Sequence, residues 1–282
     1  MIDDASVAAL AALVRGRPLC VLTGAGVSTA SGIPDYRGPL TRQKARNPIQ
    51  HRAFVDDPAT RARYWARSFR GWPRFRAFSP NASHHALARL EALHPVTGLI
   101  TQNVDRLHQK AGAARVLDLH GALEDVRCLG CGAHETRDAF QTRLAALNPA
   151  LSIEAPALAP DGDAELSDAA VRGFAVAACE ACGGVMKPDV VFFGDNVPRE
   201  RVAQAYAWLD AAEVLLVVGS SLAIFSGYRF VLRARERGIA VALVNLGESR
   251  ADAEVALRVE APSEVLLPRL VEALGARVTQ AR

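Results

Sequence analysis

Six short apolar segments recur along the chain and give the clearest structural signal in the sequence. Each is too short for a helix and is followed by a glycine or a polar residue, which is typical of buried strands. Helical stretches lie between several of them, at residues 83–93 and 226–237, and an amphipathic pattern covers the first 13 residues. This alternation predicts an α/β fold with a doubly wound parallel sheet, whose ligand site lies at the carboxyl ends of the strands. The predicted strands are residues 19–23, 97–101, 116–119, 214–218, 241–244 and 257–259.

Composition excludes several classes of protein. Half of the 282 residues are hydrophobic, which is too many for a disordered chain. No apolar run approaches the roughly 18 residues of a membrane-spanning helix. The net charge of +3 is too small to indicate a dedicated nucleic-acid or membrane binder. The acidic start of the chain is unlike a signal or transit peptide, so we expect a cytoplasmic protein.

Four of the five cysteines form two C-x-x-C pairs, Cys128/Cys131 and Cys179/Cys182. Two residues between thiols allow one tight turn to point both sulfurs at a single ion, and two such turns complete a tetrahedral Cys₄ zinc site. A redox dithiol or a disulfide is the alternative. Because four cysteines leave no open coordination position, we expect zinc to be structural.

A glycine-rich turn follows the first predicted strand. Gly24-Ala25-Gly26 stands where a strand leads into a helix, so its backbone N–H groups can approach a pyrophosphate. Thr29 occupies the position of the usual third glycine, and no acidic residue follows about 20 positions later. The turn is therefore unlike an ordinary dehydrogenase fingerprint, and a turn without a ligand stays open on this motif alone.

Further motifs together resemble one family. In chain order they are G-A-G-V-S at 24–28, G-I-P-D-Y-R at 32–37, T-Q-N-V-D at 101–105, L-H-G at 119–121, the two C-x-x-C pairs, G-S-S-L at 219–222 and V-N-L-G at 244–247. This order resembles the sirtuins, which are NAD-dependent protein deacylases, over about residues 15–268. Residues 48–51, 63–67, 159–163 and 187–195 are similar to the class II branch, which has a mitochondrial animal member and bacterial relatives.

The resemblance implies NAD and zinc as cofactors, and acylated-lysine proteins or peptides as partners of a monomer that binds neither membrane nor a specific nucleic acid. His120 would be the general base that activates a ribose hydroxyl, while Asn103 and Asp105 would hold the nicotinamide. The other implied NAD contacts are Gly24, Ala25, Gly26, Asp35, Tyr36, Arg37, Gln102, Val104, Gly219, Ser220, Ser221, Asn245, Leu246, Gly247 and Ser263. The implied peptide contacts are Val190, Val191, Phe192, Phe193 and Gly194, in one of two exposed strand-like segments, 189–193 and 221–226.

The choice of acyl group is less defined. Tyr64 and Arg67 lie three residues apart on one predicted helix face and resemble the Tyr-x-x-Arg pair of sirtuins that remove succinyl groups. An arginine-rich solvated face explains the same pattern. The remaining histidines, His84, His85 and His108 among them, have no such motif, and we expect them to be structural or solvated.

Two other functions use the same motifs. A protein mono-ADP-ribosyltransferase would cleave the same cofactor, and a non-catalytic module would retain NAD and zinc binding alone. The intact Asn103, Asp105 and His120 argue against the second. For the architecture we expect a Rossmann-like NAD domain from residues 1–40, 91–123 and 187–282. A smaller domain would combine a helical insertion, 41–90, with a zinc-binding insertion, 124–186.

Overall fold

A six-stranded parallel sheet forms the centre of the larger part of the protein. The computed structural model describes residues 4–35, 49–151 and 173–275. The strands are β1 (Leu19–Thr23), β2 (Val96–Thr101), β3 (Val116–Asp118), β4 (Gly121–Cys128), β5 (His134–Thr136), β6 (Met186–Val190), β7 (Val214–Val218), β8 (Ala240–Val244) and β9 (Leu257–Val259). The helices are α1 (Asp4–Val14), α2 (His51–Asp56), α3 (Pro58–Arg76), α4 (Ala82–Leu93), α5 (Leu107–Lys110), α6 (Arg137–Leu147), α7 (Arg199–Asp210), α8 (Phe225–Glu236) and α9 (Ser263–Gly275).

The large sheet has the order β3-β2-β1-β7-β8-β9 with every neighbouring pair parallel. All six predicted strands are confirmed to within one residue at each end. The strand order reverses direction between β1 and β7. From β1 the chain adds β2 and then β3 toward one edge of the sheet, and it then returns to place β7, β8 and β9 in turn toward the other edge. In such sheets a crevice opens at the carboxyl ends of the strands at this point.

The two faces of the sheet bury different cores because side chains alternate along each strand. Leu19 and Val21 of β1 pack with α1, α4 and α9, whereas Cys20 and Leu22 pack with α7 and α8. The continuous apolar runs in the sequence are therefore strands that are covered on both faces.

A second hydrophobic core lies around a three-stranded antiparallel sheet of order β5-β4-β6. Helices α2, α3 and α6 cover it, and the ring of Trp65 in α3 packs at a tilt against that of Phe140 in α6, with 4.5 Å between the ring centroids. Asp57 caps the first turn of α3 by accepting from the N–H groups of Ala59 and Thr60, ahead of Pro58 at the first helical position. The residue boundaries expected for the two domains stay a prediction, and β4 runs across the one at 123/124.

None of the helices in the described part of the chain is both long and apolar enough to cross a bilayer.

Candidate active site

A cleft of about 1020 Å³ opens at the carboxyl ends of β1, β2 and β7, between the large sheet and the small one. It lies at the reversal of strand order, where the sequence places its polar and glycine motifs. Within the described residues, every predicted NAD, catalytic or substrate residue except Arg67 lines it. These are Gly24, Ala25, Gly26, Asp35, Tyr64, Gln102, Asn103, Val104, Asp105, His120, Val190, Val191, Phe192, Phe193, Gly194, Gly219, Ser220, Ser221, Asn245, Leu246, Gly247 and Ser263.

The glycine-rich turn is held directly against the end of β7. A Cβ atom on Gly24 would lie 2.7 Å from the Cβ of Ser220, and one on Gly26 would lie 2.9 Å from the Cα of Gly219. Gly219 itself has a φ of 61°, where a side chain would also meet the backbone N of Val27 at 2.5 Å. The glycines therefore allow two strand ends to touch and leave the backbone of the turn as the floor of the cleft.

A buried hydrogen-bond network joins this turn to the end of β2. The Ser28 hydroxyl donates to Oδ2 of Asp105 at 2.7 Å and accepts from the amide of Asn103 at 3.0 Å. Oδ1 of Asp105 accepts from the backbone N–H of Leu107 at 2.9 Å. Burial raises the pKa of Asp105, and the hydrogen bonds from Ser28 and Leu107 oppose that rise by stabilising the carboxylate.

His84 completes the same network from α4. The backbone N–H of Asn81 donates to Nδ1 of His84 at 3.2 Å, so Nε2 carries the ring proton. Nε2 can therefore donate to Ser28 Oγ, 3.4 Å away. Burial lowers the pKa of His84 to about 4, which keeps this ring neutral near pH 7. The hydroxyl of Ser28 is thereby oriented toward Asp105.

His120 stands at the end of β3, and both of its ring nitrogens have partners. Nδ1 lies 2.9 Å from the carbonyl oxygen of Gln102, which can only accept, so Nδ1 carries the proton. Nε2 then accepts from the hydroxyl of Ser226, 2.8 Å away. Burial lowers the pKa of His120, the Gln102 bond opposes this, and the positive charges of Arg201 and Arg229 lower it further. A neutral imidazole with its Nε2 lone pair toward the cleft is the protonation state that a general base requires.

Gln102 positions both sides of that arrangement. Its side-chain oxygen accepts from the Ser220 hydroxyl at 2.7 Å, while a Cβ on Gly227 would lie 2.3 Å from its Nε2. Gly227 thus allows the start of α8 to pack on Gln102, and this packing brings Ser226 to His120.

The segment predicted to bind peptide partly differs from the expectation. Residues 189 and 190 end β6, which pairs with β4, and the backbone N–H of Val191 donates to the carbonyl of His120 at 2.8 Å. Phe192 is buried against the rings of Phe54 and Tyr64. Residues 221–226 are not a strand, because Leu222 has a φ of 53° and α8 begins at Phe225.

Tyr64 is buried and lines the cleft, whereas Arg67 is not among the lining residues. The acidic-acyl prediction that links the two therefore stays a prediction. Tyr36 and Arg37, predicted to belong to a loop over the cofactor, lie outside the described residues.

The four predicted metal ligands converge at the end of β4 farthest from the cleft. Their sulfurs all lie within 4.8 Å of one another, with Cys128 to Cys182 at 3.5 Å and Cys131 to Cys179 at 3.7 Å. Zinc–sulfur bonds of about 2.3 Å in a tetrahedron place sulfurs roughly 3.8 Å apart, so the cage fits zinc. Hydrogen bonds from the backbone N–H groups of Cys131 and Gly130 help to lower the pKa of Cys128 to about 6, which favours the thiolate.

Sequence reasoning assigned no role in the site to Ser28, His84 or Ser226. His84 was expected to be structural or solvated; it is buried, is not among the lining residues of the cleft and hydrogen-bonds to Ser28 behind it. Its signal was local, because Asn81 and His84 form a capping box at the start of α4. Ser226 ends the predicted peptide segment 221–226, but nothing in the sequence predicted its contact with His120, since only the packing of α8 on Gln102 brings the two together.

Comparison with known proteins agrees with this geometry. The model of the Sir2 family matches residues 24–226. An NAD-dependent protein deacetylase of Xanthomonas campestris pv. campestris (strain 8004) is 54% identical over 246 residues, which cover 87% of this chain and 84% of the relative. NAD-dependent protein deacetylase 2 of Bradyrhizobium diazoefficiens is 53% identical over 260 residues, covering 92% and 95%.

Solved structures of the same family share the fold. A Sir2 structure with a p53 peptide and NAD+ superposes with a TM-score of 0.74 at 28% identity, covering 95% of this chain and 98% of the other. A structure described for the mechanism and regulation of Sir2 enzymes gives a TM-score of 0.76 at 26% identity, covering 97% and 99%. The cleft, the zinc cage and the sequence match lead to one conclusion: the chain belongs to the Sir2 family, the sirtuins.

Proposed function

We propose that the protein is an NAD-dependent protein-lysine deacylase that transfers the acyl group to ADP-ribose and releases nicotinamide. The observation that carries this proposal is the half-buried, neutral His120, whose Nε2 acceptor lies in the same cleft as the Ser28–Asn103–Asp105 network. The relatives named NAD-dependent protein deacetylases and the Sir2 structure with a p53 peptide and NAD+ support the same activity.

The described residues fit NAD. The cleft volume is at the upper end of the range for small-molecule sites. A Cβ at Gly24 or Gly26 would collide with the end of β7, so the two glycines allow the turn to lie against it. The turn from Gly24 to Gly26 would hold the pyrophosphate, and the residues at the ends of β7 and β8 would hold the adenosine. Asn103 and Asp105 would hold the nicotinamide amide. When bound, NAD supplies a ribose carbon that becomes electrophilic as nicotinamide leaves.

The chain's own residues supply the proton transfers. Nε2 of His120 accepts a proton, and its Nδ1–H···O bond to Gln102 stabilises the imidazolium that results. Ser226 must turn its hydroxyl away from Nε2, or accept from it, when that nitrogen becomes protonated. Asp105 remains an acceptor for an amide N–H₂, oriented by Ser28 and the backbone of Leu107.

Zinc would act on stability rather than on the reaction. Cys128, Cys131, Cys179 and Cys182 would together supply the four ligands of a tetrahedral site, which would leave no position for a substrate. Reduced cysteines that bind metal are typical of the cytoplasm, which supports the proposed location there.

Mass spectrometry tests the proposal directly. Purified protein is incubated with NAD and lysine peptides that carry acetyl, butyryl, lipoyl, succinyl or methylglutaryl groups, with His120→Ala as the matched variant. We expect loss of the acyl group and formation of O-acyl-ADP-ribose only with His120 present. Protein-bound ADP-ribose without deacylation would indicate the mono-ADP-ribosyltransferase, and unchanged NAD would indicate the non-catalytic module.

The same panel tests the acyl preference. If Arg67 binds a carboxylate at the end of the acyl chain, Arg67→Met should reduce removal of glutaryl or methylglutaryl groups far more than removal of acetyl. Equal losses on both substrates would refute this role. Tyr64→Phe removes only the phenolic hydroxyl and serves as the companion variant at the residue that does line the cleft.

A further inference from the structure

Arg229 lines the cleft from α8 but has no hydrogen-bond or ion-pair partner in the described structure. Its Nε is buried and unsatisfied, and its guanidinium lies over the ring of Phe225, 5.2 Å from the centroid. Other arginines nearby are paired: Arg233, one turn farther along α8, binds Asp210, and Arg201 binds Asp189. A buried guanidinium N–H without an acceptor is costly, and a ligand carboxylate in the cleft could accept from it.

Phe225 sets the direction of that guanidinium. The ring is 54% exposed although it is a large apolar side chain beside the catalytic base. Stacking on an aromatic face holds a guanidinium by one plane and leaves its N–H edge available for a planar, bidentate acceptor. Phe225 and Arg229 therefore form a two-residue subsite at the rim of the cleft.

The subsite adjoins the reacting centre. Ser226, next to Phe225 in the chain, donates to His120 at 2.8 Å. Arg229 is also close enough for its charge to contribute to the lowered pKa of His120. A lysine whose acyl group is to react near His120 must bring its neighbouring residues past this end of α8.

We propose that Arg229, supported by Phe225, binds a carboxylate carried by the acylated protein substrate, that of an aspartate or glutamate that flanks the acyl-lysine. The inference rests on the proposed deacylase function and names a substrate class for it. The other source of a carboxylate is the end of an acidic acyl chain. The flanking residue is favoured because Phe225 is exposed at the rim, whereas Tyr64 and Phe192 are 4% and 6% exposed and line the interior of the cleft.

The ion pairs around His120 favour an acidic ligand for Arg229. Arg201 forms an ion pair with Asp189, while no carboxylate of the described residues forms an ion pair with Arg229. A substrate carboxylate would supply that partner.

The test measures kcat/KM for acetyl-lysine peptides that differ at one flanking position, with Glu, Gln or Lys placed in turn on each side of the modified lysine. At the position that meets Arg229, we expect the wild type to prefer Glu over Gln by about tenfold, the size of one charge-assisted hydrogen bond. Arg229→Gln should remove that preference, and Arg229→Glu should favour the Lys peptide. Arg233→Gln is the matched control on the same helix and should retain the preference.

Other results would overturn the proposal. If Arg229→Gln impairs only succinyl or glutaryl peptides of neutral sequence, the carboxylate is on the acyl chain. If it raises KM for NAD, or lowers activity equally on all peptides, Arg229 serves the cofactor or the fold. Fluorescence-polarisation binding of the Glu and Gln peptides separates the two proposals. If the wild type binds the Glu peptide more tightly but removes no acyl group, the deacylase function is refuted and the subsite stands. If it removes the acyl group from both peptides without preferring Glu, the subsite is refuted and the deacylase function stands.

Discussion

Arg106, which directly follows Asp105, offers a test of how the loop after β2 is held in place. Its backbone lies at φ 58° and ψ 18°, in the left-handed region, just before α5. Among the described residues, only Arg106 and Leu222 have a positive φ without being glycine; Leu222 lines the cleft, and Arg106 adjoins the lining residue Asp105. The Arg106 guanidinium forms ion pairs with Asp118 at 3.1 Å and Asp125 at 2.6 Å. We infer that these pairs hold a backbone conformation that the residue would not otherwise adopt.

Two substitutions separate the side chain from the backbone. Arg106→Ala and Arg106→Gly lose the same ion pairs, but only alanine keeps the left-handed cost, about 1–2 kcal/mol for a residue with a Cβ. Glycine also makes the unfolded chain more flexible, which costs about 0.4–1 kcal/mol. The Gly variant should therefore be more stable than the Ala variant by about 1 kcal/mol, which is opposite to the usual order of these two residues.

The assay is urea denaturation of both variants and the wild type, with unfolding monitored by far-UV circular dichroism and thermal melts measured in parallel. A difference of this size corresponds to a Tm shift of about 2–4 °C. Arg106→Lys keeps the positive charge and should lie between the wild type and the Ala variant. An Ala variant as stable as the Gly variant, or more stable, would refute the strained conformation at Arg106.

Three further measurements test other parts of the argument. Because His120 must be neutral to accept a proton and its pKa is lowered, the rate of deacylation should persist as the pH falls through 6.5 and decline only below that value; an acidic limb at or above 6.5 contradicts this. Cys128→Ser, or removal of zinc by a strong chelator, should lower the Tm and expose the hydrophobic core around the three-stranded sheet. If metal analysis confirms that zinc has been lost and the Tm is unchanged, the cage is not a structural metal site. Gly98→Ala should destabilise the protein by about 1–3 kcal/mol in urea, since its Cβ would lie 2.1 Å from the ring of Trp208, while Gly275→Ala, with open space around it, should not.

Much of the architecture could be predicted from local patterns. A strand such as β7 (Val214–Val218) is buried on both faces, so every residue in it must be apolar and the run is visible without any knowledge of its neighbours. The C-x-x-C spacing indicates a metal site for a similar reason, because one turn of backbone carries both sulfurs. His120 could be found because it lies in a motif at the end of a strand.

The tertiary structure decided which residues complete the site. Ser28, His84 and Asp105 come from a turn, a helix and a strand end far apart in the chain, and only the packing of α4 beside β1 and β2 joins them by hydrogen bonds. Ser226 reaches His120 through a helix whose approach depends on the absence of a side chain at Gly227.

The sequence by itself therefore determined the class of fold and the four cysteines of the metal cage, and it predicted His120 as the general base, because each depends on a periodicity, a spacing or a motif within one segment. The tertiary structure alone decided the protonation state of His120, the support of Asp105 and the lack of an ion-pair partner for Arg229 in the cleft. Those properties depend on burial and on distances between segments, which arise only when the sheet brings its strand ends together.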